Sequence, residues 1–294
     1  LVDKKVDLVE EEIIKETLTK GMGEVSYNDA QILLKNFVEK GELIKAEPLY
    51  KTSEDKNNDT AKTIEQWQKY IIENSKNNIS ADAAATAIEE GIEQGRLIPL
   101  TERFVTKNDL KIEKEILQIM ENGKGSKQAF YSESEADKLL EESTLNVGQK
   151  SAAKLIMTTE DRVVGIQGYA GVGKSYTLSE TLNHVTAAGG TAHVFAPYGS
   201  QVKSLREDGH DAHTLAKLLS SKTLQDEITE NSVIVVDEAG VIANNDANRL
   251  LKLAEAKNAK VVLLGDTQQT KAINAGKPFD CLLYTSDAAD DSLR

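Results

Sequence analysis

Eight residues, Gly168-Tyr169-Ala170-Gly171-Val172-Gly173-Lys174-Ser175, have the types and spacing that hold a chain of phosphates. Gly168, Gly171 and Gly173 let backbone N–H groups close around an anion, because no Cβ stands in the way. Lys174 can reach the outer phosphates as a point charge, and Ser175 offers a hydroxyl to magnesium. A second segment, Ser232-Val233-Ile234-Val235-Val236-Asp237-Glu238-Ala239, delivers two acids at the end of an apolar run. Asp237 can hold magnesium through water, and Glu238 can polarise an attacking water as a general base. A third, Gly265-Asp266-Thr267-Gln268-Gln269, ends in a neutral amide. Gln269 can hydrogen-bond a phosphate oxygen or the lytic water without adding charge. Alone, the acidic pair is an ordinary strand end and the third segment an ordinary polar turn. Combined with the glycine-rich loop, they specify phosphoryl chemistry on a nucleotide with magnesium.

The elements that must position these groups are legible around them. Val163–Gln167 reads as a strand before the loop, and a helix opens after it. His193–Ala196, Val233–Val236 and Val261–Leu264 read as three more short apolar strands, with helical runs between. Such alternation predicts an α/β fold with a parallel sheet and crossover helices. All the candidate groups then fall at the carboxyl edge of the sheet, where ligands bind in this architecture.

The three segments, in this order, resemble superfamily 1 helicases of the RecD-like branch. The closer resemblance is to the helicase region of MobF-class (TraI-like) conjugative relaxases. It rests on Leu145–Lys150 (LNVGQK), on Asp161–Lys174 (DRVVGIQGYAGVGK), and on Gly265–Gln269 running into Ala275–Phe279 (AGKPF). The resemblance implies a RecA-like ATP-binding lobe that uses ATP and magnesium, with single-stranded DNA as a partner. It places Gln149 where an adenine-reading glutamine lies. Pro197, Tyr198 and Lys203 fall in a DNA-contacting segment, and His213 with Thr214 in the next. Each has a bland alternative: Gln149 as a helix-start glutamine, His213 as a satisfied histidine at the core's edge. Tyr198 stands where Thr is usual, and Gly240 where Ser is usual. Such enzymes also need a second RecA-like lobe bearing an arginine finger, and a relaxase adds a nuclease domain; both are expected outside this sequence. A RecD-like repair helicase subunit and a non-catalytic nucleotide-binding or docking module are the alternatives. Conjugation or secretion machinery is a further expected partner.

The 294 residues carry a net charge of -13. That excludes nucleic-acid binding through a bulk positive field and leaves only local contacts. The single cysteine, Cys281, excludes an internal disulfide framework. No apolar run is long enough to span a bilayer and no signal peptide is evident, so a cytoplasmic location without membrane insertion is expected. Residues 1–143 read as a mainly helical region and 144–280 as the ATP-binding lobe. Residues 281–294 read as a non-native tail resembling a translated sequencing adapter. Within the helical region, Ile32–Ile44 (ILLKNFVEKGELI) and Thr86–Ile98 (TAIEEGIEQGRLI) share a pattern at an offset of 54 residues. Helix, glycine, strand, loop, strand suggests winged-helix units over 27–52 and 80–106.

Overall fold

The apolar strands assemble as one five-stranded parallel sheet, in the order β6-β10-β9-β7-β8, in the computed structural model of the chain. Its strands are β6 (Val163–Gln167), β7 (Thr191–Ala196), β8 (Ala212–Thr214), β9 (Ser232–Val236) and β10 (Lys260–Gly265). The edge strand β8 was not expected: its three residues, Ala-His-Thr, carry no apolar run to announce it. The structure describes residues 8–9, 13–15, 17, 26–55, 61–75, 79–100, 103–168 and 173–266. They fall into two compact units divided between Lys107 and Asn108.

In the second unit every residue of β9 is buried. Its side chains alternate between two cores, as the two-residue repeat of a strand requires. Val233 and Val235 pack with Ile166, Leu178, Leu182 and Leu264 on one face. Ile234 and Val236 pack with Ile116, Leu250, Leu251 and Leu263 on the other. A sheet covered on both faces explains strands that are apolar throughout. The first face is covered by α6 (Val147–Thr158) and α7 (Lys174–Ala187), the second by α4 (Lys107–Gly123) and α11 (Asn244–Lys257). Helix α4, grouped by sequence with the N-terminal region, thus contributes Ile116 and Ile119 to the lobe's own core. Polar bonds fix it there: Glu115 accepts from Asn248 at 2.9 Å and Lys252 at 2.7 Å.

The first unit contains the repeat, and its copies match element by element. Helices α1 (Tyr27–Glu39) and α3 (Ala81–Glu93) each have 13 residues and start on serine caps, Ser26 and Ser80. They end before Gly41 and Gly95, both at φ +67°, a left-handed turn that favours glycine. Strands β2 (Leu43–Lys45) and β3 (Tyr50–Thr52) follow α1, and β4 (Leu97–Pro99) and β5 (Arg103–Thr106) follow α3. Winged-helix units over 27–52 and 80–106 would each pair their own two strands. Instead β2 pairs with β5, and β3 with β4, both antiparallel. The registers obey the 54-residue offset. Leu43 faces Thr106 as Leu97 faces Thr52, Ile44 faces Val105 as Ile98 faces Lys51, and Lys45 faces Phe104 as Pro99 faces Tyr50. The short strand β1 (Leu8–Val9) follows the same rule: Leu8 faces Phe104, and Lys62 bridges Tyr50. Each copy therefore lends its last strand to the other's sheet. The cause lies in the connection Ala46-Glu47-Pro48-Leu49, which has no Gly, Asn or Asp to reverse the chain. Pro48 holds Glu47 extended, so β3 runs onward to a partner elsewhere.

Candidate nucleotide site

At the carboxyl ends of β6, β9 and β10, the described residues Gly168, Lys174, Asp237 and Glu238 come together. Gly168 leaves β6 and donates its N–H to the Gly265 carbonyl at 2.9 Å, which ties the start of the glycine-rich loop to the end of β10. The loop's last residue, Gly173, caps α7 at φ +78°. A Cβ there would stand 2.6 Å from Gln149 Nε2, so both conformation and space require glycine. Gln149 is buried and its Oε1 accepts from the Asn146 N–H at 2.9 Å in the capping box of α6. That residue thus joins the start of α6 to the end of the loop, and one face of its amide is committed to the cap.

Lys174 opens α7, and its Nζ lies 3.0 Å from Glu238 Oε1. Its stem runs over a small apolar cavity lined by Ala152, Ile156, Ile166, Thr177, Leu178 and Leu264. Asp237 directly follows β9 and donates its N–H to the Phe195 carbonyl at 2.9 Å, tying the acid to β7. Its Oδ1 accepts from the Glu238 N–H at 2.9 Å. Burial pushes the Asp237 carboxyl above its usual range, and the Lys174 ammonium opposes that shift. Glu238 stands at φ +54°, a left-handed conformation that costs a non-glycine residue on the order of 1–2 kcal/mol. Strain of this kind concentrates at functional sites because the surrounding structure must hold it.

Sequence reasoning gave no role to four side chains here. Gln167 Nε2 donates to Asp266 Oδ1 at 3.3 Å, linking the ends of β6 and β10 with two buried polar side chains. His210 favours the charged form of Asp237. It also lies 3.0 Å from Ser179 Oγ, whose hydroxyl donates to the Ser175 carbonyl at 3.0 Å. Ser179 therefore accepts from His210 Nε2–H. Neither residue belongs to a recognisable motif, so nothing in the sequence singled them out.

The donor set fits a nucleotide with magnesium: a glycine-bounded loop whose tight end admits no Cβ, an ammonium, a hydroxyl at Ser175 and a half-buried carboxylate at Asp237. Magnesium bound there would neutralise phosphate charge. Gly171 and Gln269 lie outside the described residues, as do 281–294.

The residues expected to meet DNA sit toward the other side of the sheet, around β7 and β8. Pro197 and Tyr198 follow β7, and Tyr198 is 52% exposed at the start of α8 (Gly199–Glu207). Lys203 projects from α8 and lies 3.8 Å from Glu207. His213 lies on β8. Thr214 caps α9 (Leu215–Ser220), its hydroxyl accepting from the Lys217 N–H at 3.2 Å. Thr214 thus already has a structural duty.

Comparison with known proteins places this arrangement. The AAA domain family matches residues 144–293, half of the chain. The chain belongs to the AAA domain family. That match extends over the stretch read above as a foreign tail. The multifunctional conjugation protein TraI of Escherichia coli K12 is 32% identical over 196 residues, 64% of this chain and 11% of that protein. The conjugal transfer protein TraA of Rhizobium radiobacter is 30% identical over 120 residues, 40% of this chain and 11% of its own length. The probable conjugal transfer protein TraA of Sinorhizobium fredii is 28% identical over 142 residues. The chain spans about a tenth of the length of these relatives. The resemblance to TraI-like conjugative relaxases drawn from the motifs agrees with them. Among the described residues no helix is long and apolar enough to cross a membrane, and no cluster of His, Cys, Asp or Glu could hold a metal by itself.

Proposed function

We propose that this chain is the first RecA-like lobe of an ATP-dependent DNA helicase or translocase within a conjugative DNA-transfer relaxase. The observation that carries the reading is the meeting of Lys174, Asp237 and Glu238 where β6 and β9 end. Lys174 and Ser175 would hold ATP and magnesium with Asp237. Glu238 would take the proton of the attacking water, and Gln269 would respond to the terminal phosphate. Single-stranded DNA would cross the lobe over Pro197, Tyr198, Lys203, His213 and Thr214, on elements that adjoin Asp237 through the bond from its N–H to Phe195. Coupling needs that adjacency, because a contact far from the phosphates could hold DNA but could not sense hydrolysis. The whole protein would act in the cytoplasm and engage conjugation or secretion machinery.

ATP turnover by the full-length protein, with and without single-stranded DNA, tests this function. DNA-stimulated hydrolysis that Glu238→Gln abolishes is expected. Nucleotide binding with no turnover under any DNA condition would make the lobe a non-catalytic nucleotide-binding or docking module.

A further inference from the structure

Beside the residues just named, two cations converge on one imidazole. His213 lies on the edge strand β8, in register with Phe195. Arg206, in the last turn of α8, donates through Nε to the Ala212 carbonyl at 2.9 Å, and its Nη2 lies 3.1 Å from His213 Nδ1. Lys217, on α9, places Nζ 3.3 Å from the same Nδ1. An arginine only donates, so Nδ1 is the acceptor in this contact, while Nε2 faces Asp211 Oδ1 at 3.9 Å. Nδ1 has one lone pair, so two permanent donors compete for one acceptor. Among the described residues neither Arg206 nor Lys217 has a carboxylate within ion-pair distance, whereas Lys203 has Glu207. Both cations are exposed. In a chain with a net charge of -13, two exposed like charges face one acceptor, with no ion-paired carboxylate among the described residues. An anion bridging them would relieve the repulsion and supply the missing acceptors.

We propose that Arg206 and Lys217, oriented by His213, form a binding site for the phosphodiester backbone of single-stranded nucleic acid. The site rests on the proposed motor reading, since it adjoins the strand ends over which DNA would pass. His213 is then a positioning residue: it fixes the two donors and need not touch the phosphate itself. An extended backbone, unlike free phosphate, can also meet the exposed ring of Tyr198 at the neighbouring strand end.

The test is binding of a fluorescein-labelled oligothymidine to the whole chain over a range of salt. For single strands, each phosphate that the protein neutralises adds about 0.7 to the steepness of log K against log salt. The Arg206→Gln/Lys217→Gln double variant should therefore show a slope shallower by about 1.4 and an affinity at least about tenfold weaker. Its thermal midpoint and ATP affinity should be kept. His213→Asn, whose amide oxygen can replace Nδ1 as acceptor, should bind more tightly than His213→Phe at an unchanged slope. Inorganic phosphate should displace the oligonucleotide only at a concentration far above that of competing unlabelled oligonucleotide. An unchanged slope in the double variant overturns the assignment, as does phosphate competing on equal terms, which marks a free-anion site. Wild type that binds ATP but no oligonucleotide also overturns it and leaves the nucleotide site standing. Wild type that binds neither overturns the proposed function itself.

Discussion

Lys174 and Glu238, 64 residues apart in sequence, form an ion pair at 3.0 Å across the gap between α7 and the end of β9. The lysine expected to meet phosphate is therefore also held by the acid expected to activate water. Each group restrains the other, and a phosphate drawn to Lys174 must compete with a carboxylate.

This pairing predicts an asymmetric result for Glu238→Gln. The amide keeps the shape but removes the competing charge. A partly exposed ion pair is worth on the order of 1 kcal/mol or less. ATP affinity of the variant should therefore hold or rise by up to about fivefold, while turnover in the full-length protein falls by orders of magnitude. Calorimetric titration and steady-state turnover measure the two effects separately. Loss of affinity in step with turnover would refute the division of roles.

The exchanged strands predict cooperativity in the N-terminal unit. Leu43 and Leu97 are buried at equivalent positions, each facing a threonine of the other copy. Leu43→Ala should cost about 2–5 kcal/mol. Because β2 depends on β5 and β3 on β4, the loss should appear in both copies. Hydrogen exchange of the whole chain should then show protection falling together at residues 43–45 and 97–99. Loss confined to the first copy would show that the copies fold independently.

Lys260 predicts a specific alkaline response. It is 3% exposed, donates to the Thr159 carbonyl at 2.7 Å and lies 4.6 Å from the centre of the Phe130 ring. Burial, with Lys127 nearby, lowers its pKa to about 8. The unfolded chain binds that proton up to about pH 10.4. Between these values the unfolded state holds more protons, so stability contributed by this group rises with pH, by up to about 3 kcal/mol. Below pH 8 both states are protonated and the buried charge exerts its full destabilising effect. Lys260→Met should remove the rise, as read from urea midpoints at pH 7 and pH 10. An equal rise in the variant would locate the effect elsewhere.

How far the sequence could be read follows from what each signal depends on. The glycine loop and the acids after β9 are local patterns with a direct chemical meaning, so Lys174 and Glu238 could be named before their contact was known. The central strands were legible because burial on both faces makes them apolar without a break. Strand β8 was not, since three residues on a sheet edge need little apolar character. The partners of Gln167 and His210 depend on long-range packing and carry no spacing rule. The 54-residue repeat was visible, but its strand exchange was not: helix, glycine and strand read the same whichever copy supplies the partner.

The central claim is a nucleotide site built on Lys174, and its most direct measurement is Mg-ATP affinity of the 294-residue chain and of Lys174→Ala by equilibrium titration. A lysine that contacts phosphate in the ground state contributes a charge-assisted bond worth roughly 1.5–3 kcal/mol, or about 10–150-fold in affinity. Saturable Mg-dependent binding by the wild type, weakened by that factor or more in a variant that keeps its thermal midpoint, is the predicted result. Wild type that does not bind Mg-ATP, or a Lys174→Ala variant that binds it equally well, would contradict the claim.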